Sequence, residues 1–140
     1  MKPVEFAGRS LIGGEASGPA LVSRKAFTFA HGVDPNTGVV TDVRSDVRGE
    51  SVKGRVLFYP YGKGSTTASA WFLETVRLGK APAAIVTEGP DLSAVIGSVL
   101  ARVVYGKIIP VLCSFHEDLY SGIRSEEIVK VSGSRLTLDR

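Results

Sequence analysis

The chain is nearly without thiols: its 140 residues hold one cysteine, Cys113. A lone thiol makes no internal disulfide, so a cytoplasmic setting is expected. One cysteine also cannot hold an iron–sulfur cluster or a thiolate metal site, which need several ligands, so no metal site is expected in this chain. Histidine is scarce too. His31 and His116 stand apart, each without a partner at ligand spacing. No run approaches the roughly 20 apolar residues that span a bilayer. The opening MKPVEFAGRS also lacks the apolar stretch of a signal peptide. No membrane association is expected. The net charge is only +3, and Lys and Arg are scattered. Phe27, Phe29, Phe58, Tyr59 and Tyr61 are not interleaved with basic residues. Both patterns argue against a nucleic-acid surface.

What is present is the composition of a folded domain. Hydrophobic residues make up 44% and charged residues 22%, and this length suits one domain, 1–140, with a core of its own. The first third is glycine-rich with short β-type runs: Ala20–Val22, Phe27–Phe29 with its alternation, and Val39–Thr41. GVDPNTG at 32–38 is dense in turn formers. The middle reads strand, helix, strand, helix, strand. Strands are expected over 55–59, 83–87 and 108–112, and helices over 66–78 and 92–105, ended by Gly79 and Gly106. Such alternation implies a parallel sheet. Residues 127–131 and 135–138 alternate as two further strands.

Between the first strand and helix lies PYGKGSTTAS, residues 60–69. A strand that ends in a glycine loop and opens a helix favours anions, because the first helical N–H groups are unpartnered and the helix dipole is positive there. Gly62 and Gly64 remove side chains, so a ligand can approach the backbone, and Lys63 adds a full charge. Neither the P-loop nor the G-x-G-x-x-G spacing is met. By spacing alone Ser65 reads as a helix N-cap. A serine acting as a base would need several donors and a positive field to hold its alkoxide.

GGEASGPALVS (13–23), GVDPNTG (32–38), GRVLFYPYGKGSTTAS (54–69), APAAIV (81–86) and YGKIIPV (105–111) together resemble the small subunit of the aconitase X family. The resemblance runs from about residue 7 to about residue 115. It implies an α/β fold of the swivelling type: a three-layer β/β/α domain whose central sheet is largely parallel. It further implies the small subunit of a heterodimeric hydro-lyase, inactive without its large subunit. That large subunit would carry an iron–sulfur cluster, of the 4Fe–4S type, as Lewis acid, together with most substrate contacts. Archaeal members of this kind dehydrate 5-phosphomevalonate, a phosphorylated hydroxy acid, to trans-anhydromevalonate 5-phosphate on a mevalonate route to isoprenoids. Bacterial relatives act on cis-3-hydroxyproline.

By the resemblance, Ser65 is the proton acceptor, and Gly62, Lys63, Gly64 and Thr66 shape the loop and bind substrate. Lys63 stands where the family usually has arginine, which weakens any bidentate contact. Thr66 and Thr67 stand where serines are common. Ala30–His31 replaces the aromatic and glycines usual before GVDP. A reading from another class remains beside this one: a stand-alone anion-binding module using the same helix N-terminus.

The other polar candidates read as structural. Asp34 is expected to cap its own turn. Glu15 and Ser17 are expected in a solvated loop. Cys113 is expected to be buried and inert, and Trp71 to serve the core or a subunit interface. Glu88 follows the second parallel strand, at the end where open α/β sheets bind ligands, and is a second-rank site candidate.

Overall fold

Four runs of the chain switch side chains from one core to another at every residue. In the computed structural model, which describes residues 3–63, 67–115 and 118–139, these runs are the inner strands of a sheet. Leu21, Leu57, Tyr59, Ile85 and Val111 enter one buried cluster. Their neighbours Ala20, Val22, Val56, Phe58, Ala84, Val86 and Leu112 enter another. A strand buried on both faces needs apolar residues at every position, which is why these runs are continuous rather than amphipathic.

The elements follow in order: β1 (Pro3–Ala7), β2 (Arg9–Ile12), β3 (Glu15–Val22), β4 (Val56–Tyr59), α1 (Thr67–Arg77), β5 (Ala84–Thr87), α2 (Leu92–Tyr105), β6 (Val111–Cys113), α3 (Leu119–Gly122), β7 (Ile128–Ser132) and β8 (Arg135–Asp139). β3, β4, β5 and β6 pair in parallel, and β2 closes that edge antiparallel to β6. β3 is shared. Its first half pairs antiparallel with β7, which continues through β8 to β1, while Ala20–Val22 pair with β4. The antiparallel part folds back over the parallel one, placing Val129, Val131, Leu136 and Leu138 in the second cluster. α1 and α2 cover the opposite face through Phe72, Val76, Ala94 and Ala101. The layers are therefore helices, a largely parallel sheet and an antiparallel sheet, as expected.

The two long helices end where the glycines stand. Gly106 adopts the left-handed region at φ 64°, and its N–H bonds back to the last turn of α2. Gly79 does the same after α1 at φ 73°. α2 starts on Asp91, whose carboxylate accepts a 3.0 Å hydrogen bond from the Ser93 N–H.

Three expectations need correction. Phe27–Phe29 forms a single bridge, Phe27 to Gly62, and no strand. The chain turns just after it, with the Gly32 and Val33 N–H groups returning to the Phe29 carbonyl. The alternation there reflects two rings in edge contact in the core, 5.5 Å apart. Val39–Thr41 likewise makes only isolated bridges, to Val33 and Ser51. The third parallel strand begins at Val111 rather than Ile108. Pro110 has no N–H to give a ladder, although its carbonyl accepts from Ile85 N–H at 2.9 Å. β1, β2 and the first half of β3 went unpredicted. Their exposed or half-buried residues give short, weak alternation. Among the described residues no helix is long and apolar enough to cross a membrane.

Candidate functional site

The carboxyl ends of β4 and β5 and the N-termini of α1 and α2 converge on the loop that follows Tyr59. This is where parallel sheets present ligand sites, because the loops there are flanked by helix N-termini. Tyr59 is buried and stacks on Phe27 with ring centroids 5.1 Å apart. Its phenol donates a 2.7 Å hydrogen bond to Asp91 Oδ2. The other oxygen of Asp91 caps α2. Burial first, and the Asp91 carboxylate second, push the Tyr59 phenol well above its ordinary value. It therefore stays a neutral donor, and its role is to hold Asp91 in place.

Asp91 in turn faces Gly62. A β-carbon built at Gly62 would lie 2.4 Å from Asp91 Oδ2. That oxygen is fixed by Tyr59 and cannot easily yield, so only glycine fits. The loop backbone is tied down on its other side. Lys63 N–H donates to the Phe27 carbonyl at 2.8 Å, and Phe27 N–H to the Tyr61 carbonyl at 3.1 Å. The Pro60 carbonyl accepts from Glu88 N–H at 3.0 Å. The Tyr120 hydroxyl donates to the Tyr59 carbonyl at 2.5 Å, and burial raises the Tyr120 phenol as well.

The Lys63 ammonium does not stand alone. It lies 2.8 Å from Asp42 Oδ2, and Arg44 N–H donates to the other Asp42 oxygen at 3.0 Å. The lysine hydrogen bond first, and the Arg44 N–H second, lower the Asp42 carboxyl below its ordinary value. Any anion that binds Lys63 competes with this carboxylate.

Of the residues expected to form the site, Gly62 and Lys63 lie together at this point. Gly64, Ser65 and Thr66 fall outside the described residues. Asp91, Tyr59 and Asp42 were missed. Asp91 did carry a signal, since an aspartate between Gly89–Pro90 and an apolar helix is an N-cap pattern. Tyr59 and Asp42 carried none, because their partners are 32 and 21 residues away. Glu88 is exposed at the end of β5 and joins the site through its backbone. His31, in the left-handed region at φ 57°, packs on Trp71 and lines an open groove of about 480 Å³. Trp71 itself packs against the core, as expected. Asp34 accepts from Asn36 N–H at 2.9 Å, the expected turn cap. Glu15 and Ser17 belong to strand β3, facing Ser132 and Lys130 of β7, rather than to a loop. Cys113 is buried and free. His116 falls outside the described residues.

The cavity against the loop, lined by Phe27, Tyr59, Gly62, Lys63, Phe72 and Asp91, is about 70 Å³. That admits water but no metabolite, since small-molecule sites run from about 300 Å³ upward. Among the described residues no three His, Cys, Asp or Glu side chains group as metal ligands. With a single buried thiol, this chain's residues do not fit an iron–sulfur cluster. Among the described residues, 60–63 thus form a tied-down stretch of backbone whose adjoining cavity is too small for a metabolite.

Residues 5–139 match the family model described as the aconitase X swivel domain. The phosphomevalonate dehydratase small subunit of Thermococcus sibiricus is 41% identical over 132 residues, covering 94% of this chain and 95% of that protein. The protein of the same name from Thermococcus onnurineus is 43% identical over 100 residues, 71% of this chain and 77% of its own. A crystal structure of Thermococcus kodakaraensis aconitase X in its holo-form superposes with a TM-score of 0.87 at 33% identity, covering 98% of this chain and 99% of that one.

Proposed function

The chain belongs to the aconitase X swivel domain family, and on that footing we propose that it is the small subunit of a two-chain hydro-lyase that dehydrates (R)-5-phosphomevalonate to trans-anhydromevalonate 5-phosphate. The observation that carries this reading is similarity over nearly the whole of both chains to a protein named phosphomevalonate dehydratase small subunit. The site geometry supports the division into two chains. Among the described residues the cavity beside the loop is about 70 Å³, too small for a metabolite, which accords with a cleft that a second chain completes. An iron–sulfur cluster, having no ligand set here, belongs to that large subunit.

In this reading Ser65 Oγ, as its alkoxide, takes the proton from the carbon next to the one bearing the hydroxyl. The electron pair of the broken C–H bond forms the C=C bond, and the C–O bond breaks with its pair on the leaving oxygen, which departs as hydroxide and becomes water with a proton from solvent. The helix that follows supports the serine. The first turn of α1 contains no acidic residue, so no carboxylate of that turn opposes the helix dipole acting on an anion there. The Tyr59–Asp91–Gly62 contact holds the start of the loop, the described stretch that leads to Ser65. Lys63 binds the carboxylate or phosphate of the substrate in exchange for Asp42.

The test is an anaerobic dehydration assay with the large subunit, using 5-phosphomevalonate and the Ser65→Ala variant. Turnover that needs both chains and is lost in Ser65→Ala supports the assignment. Wild-type turnover by Ser65→Ala removes the serine from the chemistry. Turnover of cis-3-hydroxyproline in place of phosphomevalonate would keep the reaction type and change the substrate. Calorimetric binding of phosphomevalonate by the isolated chain, without turnover in the mixture, would make it an anion-binding module.

A further inference from the structure

Helix α2 is inside out. Its buried residues are small: Ala94, Gly97, Ser98 and Ala101. Its outward residues are large and apolar: Leu92, Ile96, Val99, Leu100, Val103 and Val104. Spaced 4, 3, 1, 3 and 1 apart, these six fall on one side of a 3.6-residue helix. The inward face is small because α1 lies very close. A β-carbon at Gly97 would sit 2.3 Å from the Phe72 ring. The outward face has no such reason to be apolar. A surface helix normally turns charged residues to water, and one that is apolar all round is normally buried. Arg102 is the only charged residue of α2. Leu92 is 71% exposed and Val103 76% exposed.

We propose that this face of α2 is where the large subunit docks. The inference rests on the two-chain reading above and identifies the surface that serves it. Three observations favour this occupant over a second copy of the chain. The stripe begins at Leu92, one residue after Asp91, which lines the loop cavity, so a partner seated on it reaches the site that needs completing. These six large apolar side chains, 37% to 76% exposed, lie together on one helix face, whereas apolar residues on an ordinary surface are scattered singly. The similar proteins are named small subunits, which requires a larger partner of different sequence. The matching surface on that partner is apolar, with acidic groups at its rim facing Arg102 and Lys107.

The experiment is sedimentation velocity of this chain with the aconitase X large subunit of the same organism. It compares wild type with Leu92→Lys/Val103→Lys and with Ile128→Lys, which changes an exposed residue on the antiparallel sheet. Both altered positions on α2 are exposed, so circular dichroism and Tm should stay those of the wild type. The double variant is expected to bind the large subunit about a hundredfold more weakly or worse, and Ile128→Lys to bind as wild type. Wild-type affinity in the double variant would overturn the inference while leaving the two-chain reading intact. So would a wild-type dimer that the double variant dissolves without loss of large-subunit binding, since the face would then belong to a second copy. Failure of the wild-type chain itself to bind the large subunit would overturn the two-chain reading, and the docking face with it.

Discussion

The hydroxyl of Tyr59 and Oδ2 of Asp91 are 2.7 Å apart, which joins the last residue of β4 to the cap of α2. Gly62 packs against the same oxygen. One carboxylate therefore fixes a helix start and one wall of the loop, and changes at any of the three positions should be felt at the others.

Gly62→Ala should be costly even though alanine is small. Its methyl group would overlap Asp91 Oδ2, so either the Tyr59 hydrogen bond breaks or the loop moves. We expect a stability loss of about 1–3 kcal/mol and a larger loss of activity with the large subunit. Thermal melting and steady-state kinetics check this. A variant with full activity would show that the loop has room to shift.

Tyr59→Phe should cost about 1–2 kcal/mol at neutral pH by removing a buried hydrogen bond. It should also change the alkaline limb. The folded phenol titrates well above the ordinary value of 10.0, so the unfolded chain loses its proton first. That contribution to stability is complete below pH 10.0 and is lost as pH rises toward the folded value. Tm should fall above pH 10 in the wild type, and less steeply in Tyr59→Phe. Tyr120, also raised, should account for part of the remaining slope, tested by Tyr120→Phe.

Asp42→Asn should act on stability and on substrate. Asp42 is held below its ordinary value of 3.8, chiefly by Lys63. Its contribution is therefore present above pH 3.8 and fades as pH falls through the lowered folded value. Lys63 is about one-third exposed, so screening limits the loss at pH 7 to about 0.5–1 kcal/mol. With its carboxylate gone, Lys63 is freed for anions, and KM for the phosphorylated substrate should fall while kcat changes little. Lys63→Ala should move KM the other way. Equal kinetics in all three forms would mean that Lys63 does not meet the substrate.

Gly97→Ala tests the close approach of the helices at Phe72, on the side of the cavity away from the loop backbone. Its methyl group would meet the Phe72 ring, and overpacking of this kind costs about 1–3 kcal/mol. A drop in Tm of several degrees is expected. Gly97→Ala with Phe72→Leu should recover part of it.

Much of the fold was legible because its signals are local. The apolar runs of β4 and β5, the caps at Gly79 and Gly106, and the turn at Asp34 are each written within a few residues. The reading failed where a pattern had two physical causes. Phe27 and Phe29 alternate like a strand, but Phe27 makes only a single bridge to the loop at Gly62 and the Phe29 carbonyl is taken by a turn, so ring packing is what the spacing records. Ile108–Val111 is apolar throughout, yet Pro110 cannot join the ladder. The G-K-G-S loop and its neighbours point to the family from the sequence alone.

Other features exist only after folding. Asp91 reads as a cap, but its meeting with Tyr59 and Gly62 depends on β4 and α2 arriving side by side. Lys63 reads as a free cation, and folding brings Asp42 to it. The sequence of α2 is apolar on all sides, so it marks a helix without saying which side is inside. Phe72 decides that, because only the face of Ala94, Gly97, Ser98 and Ala101 is small enough to sit against it. The large apolar residues are thereby left outward. Local sequence determined the elements and their ends. The contacts that give the loop its chemistry and α2 its exposed face join residues far apart in the chain, and only the tertiary structure could decide them.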